Sequence, residues 1–268
     1  MTDAPSRDAL FDYLIESRIA GRVATPRENN LDHFRQMSRR QPLYLFGLDP
    51  AGSWTPAEVL ALMVERCGVS PDLNHVRGTD TIDPERTIER LEAMSTLVRD
   101  AARHRQRVLV ATGHPHGVLS IHRALAKALR AAGCFLLSAA ADWQHPDEPS
   151  YRSHRSSIRF VDDVAVLAKS DGRLAHTHSP LPMTAILDEL AATGQPLPEL
   201  VIADHGWAGA AAQAGIPTVG FADCNDPALF VGEAEGLVRV CVPLDDNVDP
   251  GLYAPLTAYL LHHAGLSG

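Results

Sequence analysis

The sequence predicts an α/β protein in which a mostly parallel sheet carries helices on both faces, a Rossmann-like three-layer arrangement. Short apolar runs alternate with helical stretches, and the runs end in Gly, Pro or Asp, as buried parallel strands commonly do. The 268 residues are 45% hydrophobic and 21% charged, which is ordinary for globular domains. We therefore expect a single α/β domain over residues 1–268 with right-handed crossovers.

The first part of the chain is predicted to be mainly helical. Amphipathic patterns indicate helices over 8–20 and 27–39, separated by a break at 21–26. The apolar run 43–46 is followed by Gly, Asp and Pro, which favours a buried strand that leads into a loop at Asp49.

A mostly helical insert is expected over 52–104. Thr55 and Glu58 have the spacing of a capping box, which predicts a helix over 56–67. The charged stretch 83–104 predicts a second helix. Together these elements are expected to form a small cap over a site.

Strands and helices alternate over the rest of the chain. Strands are predicted at 107–111, 134–137, 157–161, 164–167, 200–203, 217–221 and 238–242. Helices are predicted at 117–132, 181–193, 206–214, 226–235 and 250–263. Ligands of open α/β sheets bind beyond the carboxyl ends of the strands, so the residues that follow each strand are the candidates for a site.

Carboxylates and imidazoles follow several of these strands. Asp204 and His205 follow one strand, Asp223, Asn225 and Asp226 follow the next, and Asp245 and Asp246 follow the last. Like charges at this spacing repel one another unless a cation or a proton intervenes.

A metal site at this edge is one interpretation. Asp204, Asp223 and Asp226 would hold one or two divalent cations, with Asn225 and His205 in support. Mg²⁺ or Mn²⁺ suits oxygen ligands, whereas Zn²⁺ or Fe suits the histidines as well. The alternative is that each Asp or Asn caps a helix or forms a turn.

A second candidate is the loop that follows strand 107–111. Thr112, Gly113 and Gly117 let the backbone approach a ligand at the start of the next helix, where anions bind. His114 and His116 are expected to orient a phosphate and to protonate a leaving group. A histidine-containing helix cap is the alternative.

Two further segments carry polar side chains of open role. Arg152 and Arg155 could clamp a phosphate through paired hydrogen bonds, and a solvated loop is the alternative. His176 and His178 alternate along an extended segment that places both rings on one side, and surface histidines are the alternative.

The composition argues against several classes of function. The net charge of −9 gives no support for a broad nucleic-acid surface. The four cysteines lie far apart, and neither a signal peptide nor a membrane-spanning run is evident. We expect a cytoplasmic protein that binds a small molecule, with a homodimer left open.

Several segments resemble a family of phosphatases from high-GC Gram-positive bacteria. These are IADHGWAGAAAQAGIPTVGFADCNDPALFVGEAEG at 202–236, PLDDNV at 243–248, GTDTIDPERT at 78–87, ATGHPHGVL at 111–119 and LAHTHSPLPM at 174–183. The resemblance covers most of the chain beyond about residue 40. It implies phosphatase activity and provides no set of catalytic residues.

A weaker resemblance concerns phosphatases of the haloacid-dehalogenase type. Asp49, Thr112, Lys169 and Asp204 follow the order of nucleophile, hydroxyl, lysine and metal ligand in that family. The resemblance implies that Asp49 is the attacking carboxylate. The chain departs from the family at Ala51, where the usual general acid is missing.

These observations lead to the hypothesis of a metal-dependent phosphatase. Its substrate would be a small soluble phosphomonoester of the sugar, amino-alcohol or nucleotide type. The predicted catalytic residues are Asp49, His114, His116 and His205. The alternatives are a haloacid-dehalogenase-like phosphatase, another metal-dependent hydrolase or lyase, and a non-catalytic sensor of phosphate ligands.

Overall fold

The computed structural model describes residues 4–146 and 156–266. Its helices are α1 (Arg7–Glu16), α2 (Arg27–Ser38), α3 (Pro56–Arg66), α4 (Pro84–Arg103), α5 (Leu119–Ala131), α6 (Leu181–Ala192), α7 (His205–Gln213), α8 (Pro227–Ala234) and α9 (Ala254–His263). Its strands are β1 (Gly21–Pro26), β2 (Thr79–Ile82), β3 (Arg107–Ala111), β4 (Phe135–Leu136), β5 (Ser156–Val161), β6 (Val164–Lys169), β7 (Leu174–Ala175), β8 (Leu200–Asp204), β9 (Thr218–Ala222) and β10 (Val240–Pro243).

The main sheet is mixed and mostly parallel, which confirms the predicted fold class. Its strand order is β10-β9-β8-β3-β6-β5, with β4 beside β3 and β7 beside β6. The strands from β10 to β6 run parallel, and β5 pairs antiparallel with β6. The carboxyl ends of β3, β8, β9 and β10 therefore meet at one edge of the sheet.

Helices cover the sheet on both faces. From β3 the chain passes through α5 to β4 on one side of the sheet, whereas from β8 it passes through α7 and α8 to β9 and β10 on the other side. Because crossovers of this kind are right-handed, α5 lies on one face of the sheet and α7 and α8 lie on the opposite face. α7 packs between α6 and α8, while α5 packs against α9. Every residue of β8 and β9 is buried, as expected for parallel strands covered twice.

The segment 52–104 contains α3, β2 and α4. The capping box at the start of α3 is confirmed, because Thr55 Oγ1 accepts from the Glu58 amide and the Glu58 carboxylate accepts from the Thr55 amide. α4 packs along β10 and against α9, and the Thr87 hydroxyl donates to the Pro243 carbonyl. α4 therefore forms part of the helical layer over that end of the sheet.

Two expectations for the first part of the chain are wrong. Residues 43–46 do not form a strand, since a 3-10 helix (Pro42–Tyr44) is followed by a turn in which Phe46 and Gly47 have φ of 55° and 83°. Left-handed backbone of this kind cannot extend a strand. The break at 21–26 is in fact β1, which pairs antiparallel with β2 in a separate small sheet.

No helix among the described residues combines sufficient length with sufficient apolar character to cross a bilayer.

Candidate active site

Polar side chains converge at the edge where the parallel strands of the main sheet end. They follow β3, β7, β8, β9 and β10, and most of them are buried. We name this set the rim cluster, and its members are His114, His176, His178, His205, Asp223, Asp226, Asp245 and Asp246. Parallel strands bring their carboxyl ends together, so residues distant in sequence become neighbours here.

The rim cluster contains three overlapping groups that could hold a metal ion. Within each group, one potential ligand atom per residue lies within 4.8 Å of the others. The groups are His176, His178 and His205; His114, His205 and Asp246; and Asp223, Asp245 and Asp246. His205 thus belongs to the first two groups and Asp246 to the last two.

His205 lies at the sharp turn from β8 into α7. It is 3% exposed and has a φ of 48°, a conformation that non-glycine residues adopt rarely and often at functional sites. Its Nδ1 donates to Asp204 Oδ1 at 2.7 Å. Its Nε2 lies 3.5 Å from Asp226 Oδ2 and 3.7 Å from Asp246 Oδ2.

This arrangement directs a ring nitrogen of His205 at two carboxylates. Burial lowers the pKa of His205, but the hydrogen bond to Asp204 and the charges of Asp226, Asp204 and Asp246 raise it to about 10 overall. With Nδ1–H donated to Asp204, Nε2 can face these carboxylates favourably only if it carries a proton or shares a cation with them.

Asp204 serves as an internal acceptor at the base of the site. Its Oδ1 accepts from the amides of Gly113 and His114, at 2.8 and 3.2 Å, and from His205. Burial raises the pKa of Asp204, but the hydrogen bond and charge of His205 and the charge of His122 hold it below its ordinary value. The predicted metal ligand therefore fixes the orientation of His205, while Asp204 itself stands outside the three groups.

The glycines after β3 make room for neighbouring loops. A Cβ on Gly113 would lie 2.5 Å from the Thr177 carbonyl oxygen, and one on Gly117 would lie 1.7 Å from that of Asp246. Thr112 Oγ1 accepts from the His114 amide at 3.0 Å. The sequence predicted that these glycines allow the backbone to approach a ligand closely. In the structure they allow close contact with the backbone segments that carry His176, His178 and Asp246.

Sequence reasoning gave His176 and His178 no role, yet both belong to the cluster. The Thr177 amide donates to the Gly113 carbonyl, which holds the two rings beside the loop after β3. The His176 ring stacks on His114 at 4.5 Å between centroids, and the His178 ring lies 4.8 Å from that of His205. Burial and the nearby imidazoles lower the pKa of His178 to about 2, so this ring is neutral and able to bind a metal. The alternation His-Thr-His was the available signal.

Asp223 and Asp245 are held by donors from neighbouring backbone and side chains. The Cys224 amide donates to Asp223 Oδ1, and the Asn247 amide donates to Asp245 Oδ1. Burial and the charges of Asp246 and Asp245 raise the pKa of Asp223 well above its ordinary value.

Asp226 also experiences the negative charge of this region. Burial raises its pKa to about 7, and Asp246 adds to the rise against the opposing charge of His205. Carboxylates this close together are stabilised by protons or by a cation.

Unpartnered atoms within the cluster give an independent test of whether a metal fits. Among the described residues, the buried atoms Asp246 Oδ2 and His178 Nδ1 have no hydrogen-bond partner. Buried polar atoms in folded proteins nearly always have one. An oxygen and a nitrogen of this kind, surrounded by further imidazoles and carboxylates, could serve as ligands of a divalent cation.

Besides Asp204 and the loop residues Thr112, Gly113 and Gly117, three predicted site residues of the described chain lie outside the cluster. The Asp49 side chain is 76% exposed and pairs with Arg40, and the residues directly before it form a turn and not a strand of the main sheet. His116 is exposed, and its Nε2 donates to the Leu174 carbonyl. Asn225 is half-buried, and its backbone carbonyl accepts from His33 Nδ1.

Arg152 and Arg155, the predicted phosphate clamp, lie outside the described residues.

Comparison with known proteins identifies the family of the chain. The model of a protein family described as Phosphatase matches residues 5–268. Phosphatase SCO2771 of Streptomyces coelicolor is 51% identical over 264 residues, which cover 98% of this chain and 97% of that protein. The chain therefore belongs to the Phosphatase family.

Proposed function

We propose that the protein is a metal-dependent phosphatase that hydrolyses a small soluble phosphomonoester at the rim cluster. The observation that carries this proposal is the convergence of buried histidines and aspartates in which Asp246 Oδ2 and His178 Nδ1 lack partners. Membership of the Phosphatase family supports the reaction class.

The ligands in this proposal come from the three groups of the cluster. Carboxylate oxygens suit Mg²⁺ or Mn²⁺, and the imidazoles also admit Zn²⁺ or Fe. A divalent cation bound there would neutralise charge on the phosphoryl oxygens and lower the pKa of a water molecule. Asp226 is a further candidate ligand, because its Oδ2 faces the same nitrogen of His205 as Asp246 does.

Asp204 and His205 act together in this proposal. The Asp204 carboxylate holds Nδ1 of His205, so Nε2 points to Asp226 and Asp246. A carboxylate behind a ligating histidine fixes the tautomer and the direction of the ring. His122 supports Asp204 from the other side, with its Nε2 3.5 Å from Asp204 Oδ2.

We assign the protonation of the departing alkoxide to His114 and not to His116. His114 is 7% exposed, and its Nδ1 lies 3.1 Å from Asp246 Oδ1 within the cluster. His116 is turned towards the Leu174 carbonyl on the exposed side. General acid catalysis requires a proton donor within reach of the leaving oxygen, and His114 is the better placed of the two.

The burial of the cluster supports a small substrate. Asp223 and Asp246 are each 5% exposed, so a terminal phosphoryl group reaches them more readily than a phosphate within a polymer. The net charge of −9 also disfavours polyanionic partners. Sugar, amino-alcohol and nucleotide monophosphates remain the candidate substrates.

A phosphate-release screen tests the proposal. The full chain, stripped with EDTA, is assayed on p-nitrophenyl phosphate and a panel of small phosphomonoesters with Mg²⁺, Mn²⁺, Zn²⁺ or no metal. We expect release that requires added metal and is lost in His205→Gln. Release without metal would contradict metal dependence. Turnover of amides or lactones only would identify another hydrolase, and tight phosphate-ligand binding without turnover would identify a sensor.

A further inference from the structure

We propose that the rim cluster holds two divalent cations at non-equivalent positions, one bound by His176, His178 and His205 and the other by Asp223, Asp245 and Asp246. This inference rests on the proposed function and specifies how its metal centre is built. It assigns a binding role to His176, His178 and Asp245.

The grouping of the ligand atoms favours two positions. Imidazole nitrogens and carboxylate oxygens bind small divalent cations at about 2.0–2.2 Å, so two ligands of one ion lie within about 4.5 Å of each other. The ligand atoms of the histidine group lie within 4.8 Å of one another, as do those of the carboxylate group, and the two groups share no residue. We therefore place one ion in each group.

The two positions adjoin each other where His205 meets Asp246. His205 Nε2 lies 3.7 Å from Asp246 Oδ2, and both residues form the middle group with His114. Adjacent positions that meet in this way are typical of sites in which two ions act on one phosphoryl group.

The chemistry of the two ends differs sharply. Three imidazoles supply nitrogen ligands without charge, which favours Zn²⁺ among the common divalent ions. Three carboxylates supply oxygen ligands and negative charge, which favours Mg²⁺ or Mn²⁺. We therefore expect the histidine position to prefer Zn²⁺ and the carboxylate position to prefer Mn²⁺ or Mg²⁺.

An unpartnered atom at the carboxylate end supports a bound ion independently of the charge. Asp246 is 5% exposed, and its Oδ2 has no hydrogen-bond partner and points towards His205. In contrast, both oxygens of Asp223 accept hydrogen bonds, from the Cys224 amide and the Thr25 hydroxyl. Both oxygens of Asp245 accept as well, from the Asn247 and Ala24 amides. A buried carboxylate oxygen without a hydrogen-bond donor is an available ligand for a cation.

Metal stoichiometry measured without any substrate tests the inference. The EDTA-stripped chain is titrated with Zn²⁺ and with Mn²⁺ by calorimetry, and its metal content is then measured by mass spectrometry after incubation with both. We expect two ions per chain, and one Zn²⁺ with one Mn²⁺ from the mixture.

Matched variants assign each ion to one end of the cluster. His176→Gln should weaken Zn²⁺ binding by at least about tenfold and leave Mn²⁺ binding unchanged. Asp223→Asn should weaken Mn²⁺ binding by a similar factor and leave Zn²⁺ binding unchanged. His176 lies at the exposed side of the cluster, and Asp223→Asn removes a like charge, so both variants are expected to fold, which circular dichroism checks.

The outcomes separate this inference from the proposed function. A single ion per chain under every condition would overturn the two positions even if phosphate release persisted. An equal loss of Zn²⁺ and Mn²⁺ affinity in either variant would also overturn the two positions. Two bound ions without release from any phosphomonoester would instead overturn the proposed function and leave the metal positions intact.

Discussion

Two regions of the molecule bury charged side chains, and they do so in opposite ways. In the first, Arg27 and Asp80 form an ion pair at 2.8 Å with neither side chain exposed. Both oxygens of Asp80 are fully partnered, since Oδ2 accepts from Arg27 and Asn30 and Oδ1 accepts from the amides of Ser70 and Thr81.

In the rim cluster, one oxygen of a buried carboxylate lacks such a partner. Asp246 lies beside Asp223 and Asp245, and its Oδ2 accepts no hydrogen bond. The difference teaches that buried charge alone does not indicate function. A buried carboxylate with a full set of donors and its own cationic partner holds the fold together. A group of neighbouring carboxylates in which one oxygen has no donor indicates a ligand from outside the chain.

The largest expected effect on turnover comes from Asp246→Asn. Asp246 belongs to both groups that contain carboxylates, so its loss should reduce phosphate release by about 10³-fold. The free energy of unfolding of the metal-free protein should stay the same or rise, because the substitution removes a like charge. Turnover and urea unfolding measure the two effects. Retained turnover would show that the cluster is not the catalytic centre.

For Arg27→Met we expect a loss of stability with little change in turnover. Removing one partner leaves the Asp80 charge buried and unpaired, which should lower the free energy of unfolding by about 3–5 kcal/mol. Turnover per folded molecule and metal affinity should remain close to those of the unchanged protein. Urea unfolding measures the loss of stability, and turnover is measured at urea concentrations below the unfolding transition. A loss of metal binding in the folded variant would remove the distinction between the two regions.

Gly117→Ala tests whether loop packing positions the cluster. The added Cβ would lie 1.7 Å from the Asp246 carbonyl oxygen, so the loop that carries Asp246 must move. A displacement of about 1 Å in a catalytic site can reduce turnover about 10²-fold.

Gly215→Ala is the matched control for that substitution. Gly215 has a φ of +77° and open space around it, so the change should lower stability by about 1 kcal/mol through backbone strain without a change in turnover. Equal effects of the two substitutions on turnover would show that contact with Asp246 is irrelevant.

The smallest effect is expected for His116→Ala. The exposed ring contacts the Leu174 carbonyl, so its loss should change the free energy of unfolding by less than about 0.5 kcal/mol and leave turnover nearly unchanged. His114→Ala should reduce turnover strongly by comparison. Parallel kinetics on the two variants decide between the histidines, and a larger loss for His116→Ala would reverse their roles.

The sequence predicted the fold where hydrophobic pattern and position act together. Strands from 107 onwards alternate with helices, and this alternation alone predicts that the residues after β8, β9 and β10 share one edge of the sheet. The interpretation of 43–46 failed because an apolar run does not reveal its backbone angles, and Phe46 turns into the left-handed region.

The candidate site was only partly predictable because strand-end position does not show what each side chain contacts. Asp204 and Asp246 both follow strands, yet Asp204 Oδ1 accepts from two backbone amides and from His205, whereas Asp246 lies beside Asp223 and Asp245. His176 and His178 were missed as cluster members because the two-residue strand β7, which positions them, carries too little pattern to predict.

A metal titration tests most directly whether the rim cluster is a metal-dependent phosphatase centre. EDTA-stripped wild-type protein, Asp246→Asn and Arg27→Met are titrated with Mn²⁺ while thermal unfolding and release of phosphate from p-nitrophenyl phosphate are followed together. For the wild type and Arg27→Met, we predict restored release and a stabilisation of about 2.7 kcal/mol when the metal is at a hundred times its Kd. Neither effect is predicted for Asp246→Asn. Full release by the stripped wild type, or equal responses of Asp246→Asn and Arg27→Met, would contradict the claim.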